Sequence, residues 1–415
     1  MAEQVAVVAG YIVRYPVGGM TWVFLNYLLG LRDLGFEPVY VEAAGPQPTC
    51  YDVAAGRMTE DPAYGVNYLT ESLDAAGLTS CRWWYADHAL PGGGVGMAYD
   101  EAVATLESAS VLINVSASCW AEEFLRAPRR ILLDTDAPFT QIRLADGDEG
   151  WAAFVDSHDV HATYAVNVAQ GNADPEVPDG GRRWLATRPP VDLRAWSAVS
   201  PPPDGAWTTV TSWSAAEASW WQLKEYRQKD VEYVRLREIP RLVPDCRFEL
   251  ALGGSAPRRQ LAELGWQLAD PIEVASTVRD YQEYLRCSRG ELGVAKHAYV
   301  TGRTGAFNDR SLNYLACGRP VVCSDTGLDW LPTGCGLITF KDAQSAADAI
   351  RTAEEDIVAH GRAARQLAED HFSADAVLAS LLTSSDIVLP RRPTSGRPAR
   401  KAASGCAEDP VLGPE

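Results

Sequence analysis

The stretch of sequence that decides the fold is GRTGAFNDRSLNYLACGRPVV, residues Gly302–Val322. A glycine-containing polar loop leads into a short helix predicted over Arg310–Ala316, and Gly318 ends that helix. The apolar strand Val321–Cys323 comes next and closes on a second glycine loop. A loop, a helix N-terminus and a strand ending in a loop are how an α/β domain presents backbone N–H groups to an anion. The stretch therefore predicts an α/β fold with an anion site at this loop.

The sequence of this stretch resembles the glycogen-synthase-like donor half of GT-B glycosyltransferases, including bacterial ones. In that family a motif like EGFGLPLLEAMACGTPVVASD binds a nucleotide sugar. The resemblance implies two doubly wound, Rossmann-like domains that face a cleft, with a helical C-terminal segment returning to the first domain. As a motif it covers only about Trp207–Phe340. The matching residues are Phe307, Ala316, Cys317, Gly318, Pro320, Val321 and Val322.

The stretch departs from the family at two positions. Where retaining relatives carry two glutamates, this chain has Gly305 and Asn313. Glycine cannot stabilise positive charge at the anomeric carbon of a sugar, so the family's stereochemistry does not carry over. Asn313 is still expected to bind ribose hydroxyls, because an amide is both a donor and an acceptor.

Bulk composition limits the class of protein. With 415 residues the chain is too long for one ordinary core and suits two domains of ~150–200 residues each. Its formal net charge of −18 argues against nucleic acid and anionic membranes as partners. The nine cysteines form neither a CxxC motif nor a zinc-binding spacing, which is typical of proteins in reducing compartments. With no signal-peptide pattern and no run of ~18 apolar residues, we expect a soluble, cytoplasmic protein.

Two series of strands and helices are predicted on either side of a proline-rich linker. In the first, the strand Val5–Ala9, a Gly/Pro loop, a helix from Thr21 to Leu34 and the strand Pro38–Glu42 form a βαβ unit. The expected organisation is an acceptor domain over 1–195, a linker over 196–205, a donor domain over 206–342, returning C-terminal helices over 343–385 and a disordered tail over 386–415.

The candidate donor-binding residues surround the opening stretch. Lys296 and Arg310 are expected to neutralise a diphosphate, as a basic pair does in GT-B enzymes in place of a metal ion. Glu291 lies beside them, and a structural Glu–Lys or Glu–Arg pair is the alternative. Either Asp309 or Ser311 is expected to cap the following helix. The remaining expected donor contacts are Ser212, Trp213, Arg303, Gly305, Asp309, Ser311, Asn313, Asp325 and Gly327, with domain packing as the alternative for Trp213.

The candidate acceptor residues lie in the first series. The loop after the first strand sits at a carboxyl end, where α/β sheets form their crevice. A tryptophan-rich segment could clamp a ring-shaped acceptor or fold onto the core. The expected acceptor contacts are Tyr11, Arg14, Gly18, Gly19, Trp84 and Gln141.

A general base is expected in the same domain. Asp136 follows an apolar strand in Asp134-Thr135-Asp136, and a carboxylate in a partly dry cleft can take a proton from a hydroxyl. Its alternative role is to cap the loop that Pro138 begins. His88 is the second catalytic candidate, and no metal site is expected at the DxD-like triplet.

Together these features predict a metal-independent glycosyltransferase that moves a sugar from a nucleoside-diphosphate sugar to a hydroxyl of a small, natural-product-like acceptor, with no cofactor. The alternatives are a GT-B nucleotide-sugar epimerase or hydrolase, and a non-catalytic nucleotide-sugar-binding partner protein. The expected partners are the two substrates, with neither nucleic acid nor membrane insertion, and a homodimer left open.

Overall fold

The computed structural model describes residues 4–214 and 217–390. Strands and helices alternate along most of this length. The strands are β1 (Val5–Ala9), β2 (Glu37–Ala43), β3 (Cys50–Asp52), β4 (Arg57–Thr59), β5 (Arg82–Ala86), β6 (Gly94–Gly96), β7 (Val111–Val115), β8 (Arg130–Asp134), β9 (Val160–Thr163), β10 (Trp184–Ala186), β11 (Trp207–Ser212), β12 (Ser219–Trp221), β13 (Lys224–Tyr226), β14 (Phe248–Gly253), β15 (Gln267–Ala269), β16 (Gly290–Gly293), β17 (Val321–Ser324) and β18 (Leu337–Phe340).

Helices cover both faces of the sheets. Short 3-10 turns lie at Pro91–Gly93, Glu122–Arg126 and Glu273–Ala275. The α-helices are α1 (Gly18–Asp33), α2 (Ala63–Ala75), α3 (Tyr99–Ser108), α4 (Phe139–Ala145), α5 (Glu149–Asp156), α6 (Val166–Gln170), α7 (Asp230–Leu236), α8 (Ile239–Leu242), α9 (Arg258–Glu263), α10 (Val278–Cys287), α11 (His297–Thr301), α12 (Asp309–Ala316), α13 (Ala343–Glu355), α14 (Ile357–His371) and α15 (Ala374–Ser384). None of the helices in the described residues is long and apolar enough to cross a membrane.

Two separate sheets confirm the predicted pair of doubly wound α/β units. The first has the order β10-β9-β8-β7-β1-β2-β5-β6, in which β6 alone pairs in the antiparallel sense. The second is parallel throughout, with the order β15-β14-β11-β16-β17-β18. Central strands such as β1 and β16 are buried along nearly their whole length, as parallel strands covered by helices on both faces must be.

Two predicted helix starts are wrong. Helix α1 begins at Gly18, three residues before Thr21, whose hydroxyl donates to the Val17 carbonyl oxygen at 3.0 Å. Helix α12 is capped by Asn308, whose side chain accepts from the Ser311 N–H at 2.9 Å. Asparagine is as good an N-cap as aspartate or serine, so local sequence alone did not choose among the three.

The two domains meet through an apolar interface. Trp22 of α1 packs against Trp196 of the linker with the two rings tilted and their centroids 4.9 Å apart, and its Nε1 donates to the Val278 carbonyl oxygen at 2.9 Å. Tyr281 of α10 packs against the same Trp196, and all three aromatic side chains are buried. Aromatic groups dominate the energy of such contacts, so this interface holds the domains together near the linker.

Two arginines hold the linker by its backbone. The fully buried Arg319 donates from Nη1 to the Val199 carbonyl oxygen at 2.6 Å and from Nη2 to the Arg286 carbonyl oxygen. Arg365 of α14 donates to the carbonyl oxygens of Trp196 at 2.6 Å and Leu193 at 3.0 Å. The path of residues 193–199 is thus fixed by charged donors on the second domain and on a C-terminal helix.

The C-terminal helices return to the first domain. A Cβ added to Gly30 of α1 would lie 2.6 Å from Leu378 of α15, so glycine permits this close approach. The predicted tail over 386–415 is wrong at its start, because Ile387 and Leu389 pack against the core. The rest of that segment, residues 391–415, lies outside the described residues.

Candidate functional site

A carboxylate from the first domain meets a lysine from the second. The Nζ of Lys296 lies 2.7 Å and 2.8 Å from the two carboxylate oxygens of Asp136. Lys296 precedes α11 just after β16, and Asp136 lies between β8 and α4. Both positions follow carboxyl ends of parallel strands, where doubly wound folds bind ligands. Asp136, the predicted base, and Lys296, the residue predicted to bind the diphosphate, therefore form one ion pair.

Tyr299 completes this contact from α11. Its hydroxyl donates to Asp136 Oδ1 at 2.5 Å, and burial followed by the nearby Asp136 raises the pKa of Tyr299 well above its usual value. The side chain of Asp136 is 45% exposed and that of Lys296 is 19% exposed. Such partly exposed pairs are worth only about 0–1 kcal/mol. An arriving diphosphate can therefore displace the carboxylate from Lys296.

The side chain of Asp136 does not cap the loop that Pro138 begins. The loop is held instead by the Asp136 carbonyl oxygen, which accepts from the Phe139 N–H, and by Asp134. The buried Asp134 accepts from Thr140 Oγ1 at 2.9 Å and from the Asp136 N–H at 3.0 Å. The carboxylate of Asp136 is left facing the cleft.

Lys229 is a second cation at this site, and the sequence reasoning missed it. Its Nζ donates to Thr211 Oγ1 at 3.0 Å, and no ion pair joins it to a carboxylate among residues 4–214 and 217–390. Burial first, and then the charges of Arg310 and Lys296, lower the pKa of Lys229 well below its usual value. A bound anion would favour the charged form of Lys229, because a nearby opposite charge raises the pKa of a lysine. No motif marks Lys229; its only signal is a lysine at the start of a predicted helix.

Arg310, predicted to bind the diphosphate directly, is paired with a buried carboxylate. Its Nε donates to Glu291 Oε1 at 2.5 Å, and the side chain of Glu291 is 0% exposed. Although burial opposes it, the Glu291 carboxylate raises the pKa of Arg310 above its usual value. The two residues form the structural Glu–Arg pair that was the alternative interpretation. The charge of Arg310 still acts on the site, because it lowers the pKa of Lys229.

Other predicted donor contacts divide between buried and accessible groups. Ser311 and Asn313 are buried inside α12, so the expected ribose contact by Asn313 is wrong in this conformation. Trp213 stacks on Tyr233 with ring centroids 5.5 Å apart, which is domain packing. Ser212 is exposed at the end of β11. Arg303 remains accessible, 3.8 Å from the carboxylate of Asp325.

Asn167 explains why glycines occupy the donor loop. Its Nδ2 donates to the carbonyl oxygens of Arg303 and Gly327, each at 2.9 Å, and its own N–H donates to Thr304. A Cβ at Gly305 would lie 2.8 Å from Asn167, and one at Gly327 would lie 2.6 Å from it. The expected ligand contacts of both glycines are therefore replaced by a contact with the first domain. Hydrogen bonds between domains leave no local sequence pattern, so sequence reasoning missed Asn167.

Asp309 places an isolated carboxylate at the first residue of α12, facing the first domain. Burial raises the pKa of Asp309 to about 7. Burial and then the charge of Asp309 raise the pKa of Tyr11 to about 12, which locates Asp309 beside the loop after β1. A carboxyl group that titrates near neutrality is suited to proton transfer.

We expect stability to depend on pH through Asp309. The folded protein keeps this carboxyl protonated between about pH 4 and pH 7, where the unfolded chain releases the proton. Because the folded state then binds more protons, its stability falls as pH rises through this window. The melting temperature of wild type minus that of Asp309→Asn should decrease from pH 5 to pH 8. Asp329→Asn, at a side chain 88% exposed, is the control. Parallel curves for wild type and Asp309→Asn would contradict the assignment.

Of the predicted acceptor residues in the loop after β1, only Tyr11 lies at the cleft. Arg14 pairs with the fully buried Glu42 and donates to the Ser118 carbonyl oxygen at 2.7 Å, so it holds the loop in place. Gly18 and Gly19 were wrong as cleft residues. Their added Cβ atoms would meet Tyr281 at 2.9 Å and 3.1 Å, so both glycines admit α10 of the second domain.

Three further predicted roles are corrected. Trp84 is fully buried against Tyr99 and cannot reach an acceptor. Gln141 is also fully buried, and its Nε2 donates to Asp134 Oδ2 at 2.9 Å. The predicted catalytic role of His88 is wrong, because its exposed ring pairs with Glu123 at 3.0 Å near Tyr99, away from the Lys296–Asp136 pair.

A cavity of about 230 Å³ adjoins Asp136 in the first domain. Sequence reasoning missed its aromatic walls, although Trp151 and Phe154 sit three residues apart on one helix face. Among the residues that the structure describes, no group of three or more His, Cys, Asp or Glu side chains could hold a metal ion. The lining residues are Ser116, Ala117, Leu132, Asp134, Thr135, Asp136, Phe139, Thr140, Arg143 and Trp151.

Known proteins resemble the chain in fold and, over part of its length, in sequence. Residues 228–383 match a family described as "Glycosyl transferase-like". No curated protein sequence matches the chain.

Solved structures align over most of the chain. An alpha-glucosyltransferase in complex with UDP and a 13-mer DNA containing an HMU base is 13% identical, with a TM-score of 0.59, and 93% of this chain covers 100% of that one. HepE of Anabaena, in complex with UDP and glucose, is 11% identical over 92% of this chain and 100% of that one, with a TM-score of 0.53. AviGT4, a glycosyltransferase involved in avilamycin A biosynthesis, is 12% identical over 92% of this chain and 97% of that one, with a TM-score of 0.51. The chain therefore has the GT-B fold of these glycosyltransferases, and its residues 228–383 match the glycosyl transferase-like family.

Proposed function

We propose that the protein transfers a sugar from a uridine-diphosphate sugar to a hydroxyl group of a small-molecule acceptor. The observation that carries the proposal is the Lys296–Asp136 pair at the cleft, with Lys229, which has no carboxylate partner among the described residues, close to Lys296. Cations that meet a departing diphosphate stabilise negative charge as it develops, which is the largest single source of rate in many enzymes. UDP is the nucleotide in the similar alpha-glucosyltransferase and HepE structures.

The arrangement supports an order of binding. Lys296 is neutralised by Asp136 before the donor arrives, so a diphosphate on Lys296 frees the carboxylate. Asp136 then takes the proton of the acceptor hydroxyl. The hydroxyl oxygen forms a bond to the anomeric carbon, and the electron pair of the broken C–O bond leaves with UDP. The donor thereby activates the base only when a sugar is present to transfer.

Transfer to an acceptor is favoured over epimerisation and over passive binding. A cavity opens beside Asp136, and an epimerase needs no second pocket. The net charge of −18 opposes a DNA acceptor, whose phosphates require a basic face. A cytoplasmic location is part of the proposal, supported by free thiols at Cys50, Cys119 and Cys317.

The nucleotide site can be tested by calorimetry. We expect UDP to bind the wild type, and Lys296→Ala and Lys229→Met each to weaken it by about tenfold to a hundredfold, since each removes a charged hydrogen bond. Lys224→Ala is the matched control, because Lys224 already pairs with Asp174 and Glu176. Unchanged UDP affinity in both site variants would show that the site is misplaced.

We propose that this transfer needs no divalent metal. Lys296 supplies positive charge where a metal would otherwise act, and a bound diphosphate would favour the charged form of Lys229 as well. The carboxylates of Asp134 and Asp136 are already held by hydrogen bonds and by Lys296. Turnover of UDP-sugar should be the same with and without a chelator. Loss of turnover that Mg²⁺ or Mn²⁺ restores would overturn the proposal and reassign the two aspartates as ligands.

A further inference from the structure

We propose that the cavity beside Asp136 binds the acceptor as a neutral aromatic ring compound that carries a hydroxyl group. The inference rests on the proposed function. The cavity of about 230 Å³ is too small for a polymer segment and suits a small ring system. Two rim residues, Ser116 and Ala117, have positive φ angles of 58° and 52°, a strained backbone conformation that concentrates at functional sites.

Aromatic side chains form the walls of the cavity and a shelf at its side. Phe139 and Trp151 line the cavity. Trp120 is 53% exposed and stacks on Phe154 with centroids 3.8 Å apart, and its ring lies 5.6 Å from that of Trp151. Its Nε1 donates to the Ala117 carbonyl oxygen at 3.1 Å, which fixes the ring beside the rim. A fixed, exposed tryptophan offers a flat face on which another ring can stack.

The polar groups of the cavity already have partners. The hydroxyls of Ser116 and Thr135 lie 2.8 Å apart, and Thr140 Oγ1 donates to Asp134 at 2.9 Å. A sugar acceptor would bring several hydroxyls that must give up water, and each is unfavourable to bury without a new hydrogen-bond partner. An aromatic alcohol has one hydroxyl to satisfy, and Asp136 can accept its proton. The lining therefore favours an aromatic ring over a sugar.

The charged side chains around the cavity already have partners, and Asp134 is held by hydrogen bonds from Thr140 and Gln141. Arg143 lies over the Trp151 ring at 4.6 Å and pairs with Asp148 at 2.5 Å. Asp136 pairs with Lys296 until the donor binds. An anionic acceptor finds no uncompensated cation in this lining, and a cationic one finds no free carboxylate beyond the base. A neutral acceptor is the class that fits.

The test uses two neutral probes, 2-naphthol and methyl β-glucoside, titrated by calorimetry into the full-length protein with and without saturating UDP. We expect 2-naphthol to bind and the glucoside not to bind. Thr135→Phe fills the cavity from its rim and should weaken 2-naphthol by about tenfold or more, with UDP affinity unchanged. Trp120→Ala should weaken 2-naphthol as well. Trp220→Ala, a tryptophan 59% exposed on β12, is the matched control and should have no effect.

The outcomes separate this inference from the proposed function. Preferential binding of the glucoside, or 2-naphthol affinity unchanged in both Thr135→Phe and Trp120→Ala, would overturn the aromatic acceptor. Wild type that fails to bind UDP would instead overturn the nucleotide site. Thermal unfolding of each variant shows that a lost signal reflects the cavity and not a lost fold.

Discussion

Asp136→Asn is expected to bind UDP more tightly than the wild type while losing turnover by roughly 10²–10⁴. Asparagine keeps the size of the side chain and its hydrogen bonds but cannot accept the acceptor's proton. It also removes the carboxylate that lies 2.7 Å from Lys296 Nζ, so the diphosphate no longer has to displace a charge. The gain in UDP affinity should be about two- to fivefold, the worth of a partly exposed ion pair.

Calorimetry with UDP and single-turnover kinetics measure the two effects separately. Asp245→Asn, at an exposed aspartate that precedes β14 in the second domain, is the control and should change neither. Unchanged UDP affinity in Asp136→Asn would show that the carboxylate does not compete for Lys296. Near-normal turnover would transfer the role of the base to Asp309.

Arg310→Ala is expected to destabilise the protein by about 3–5 kcal/mol, because it leaves the fully buried Glu291 without its cation. Urea unfolding measures the loss. Exchanging both partners, as Glu291→Gln with Arg310→Met, should recover much of it, since no charge then stays buried.

A surface pair provides the comparison for Arg310. Arg351 and Asp348 lie 2.6 Å apart with side chains 47% and 60% exposed, so Arg351→Ala should cost at most about 1 kcal/mol. Equal stability of Arg310→Ala and Arg351→Ala would mean that the Glu291 pair does not support the fold. The UDP affinity of Arg310→Ala should be measured only on protein that remains folded, so that a loss of binding is not confused with unfolding.

Much of the fold could be predicted from local pattern. The bounds of β1, β8 and β11 follow from short apolar runs between turn residues, and α10 from its helical spacing. These elements are stabilised mainly by burial of their own side chains, so their sequence carries the signal. The predicted helix start at Thr21 was wrong because the packing of Gly18 against α10 extends the helix, and that contact is remote in sequence.

The candidate site was predicted less completely, for the same reason. Asp136 and Lys296 were identified from strand ends, but their direct contact joins residues 160 positions apart. Asn167 and Lys229 lie in no recognisable motif, and their roles arise only when the domains meet. Trp84 was misassigned because a run of aromatic residues has the same sequence pattern in a core as in a pocket. Trp120 has no aromatic neighbour in the sequence, and its aromatic partners lie on α5.

The hydrogen bonds from Arg319 and Arg365 to the linker limit which changes in linker sequence and length the protein can accept. Both guanidinium groups contact carbonyl oxygens, which every residue possesses, so the identity of side chains in much of residues 193–199 is free to drift. The number of residues is not, because one insertion would move those oxygens by ~3.3–3.6 Å and out of hydrogen-bond range. Chimeric enzymes built by exchanging the donor domain should therefore succeed only when linker length, α12–β17 junction and α14 are transferred together.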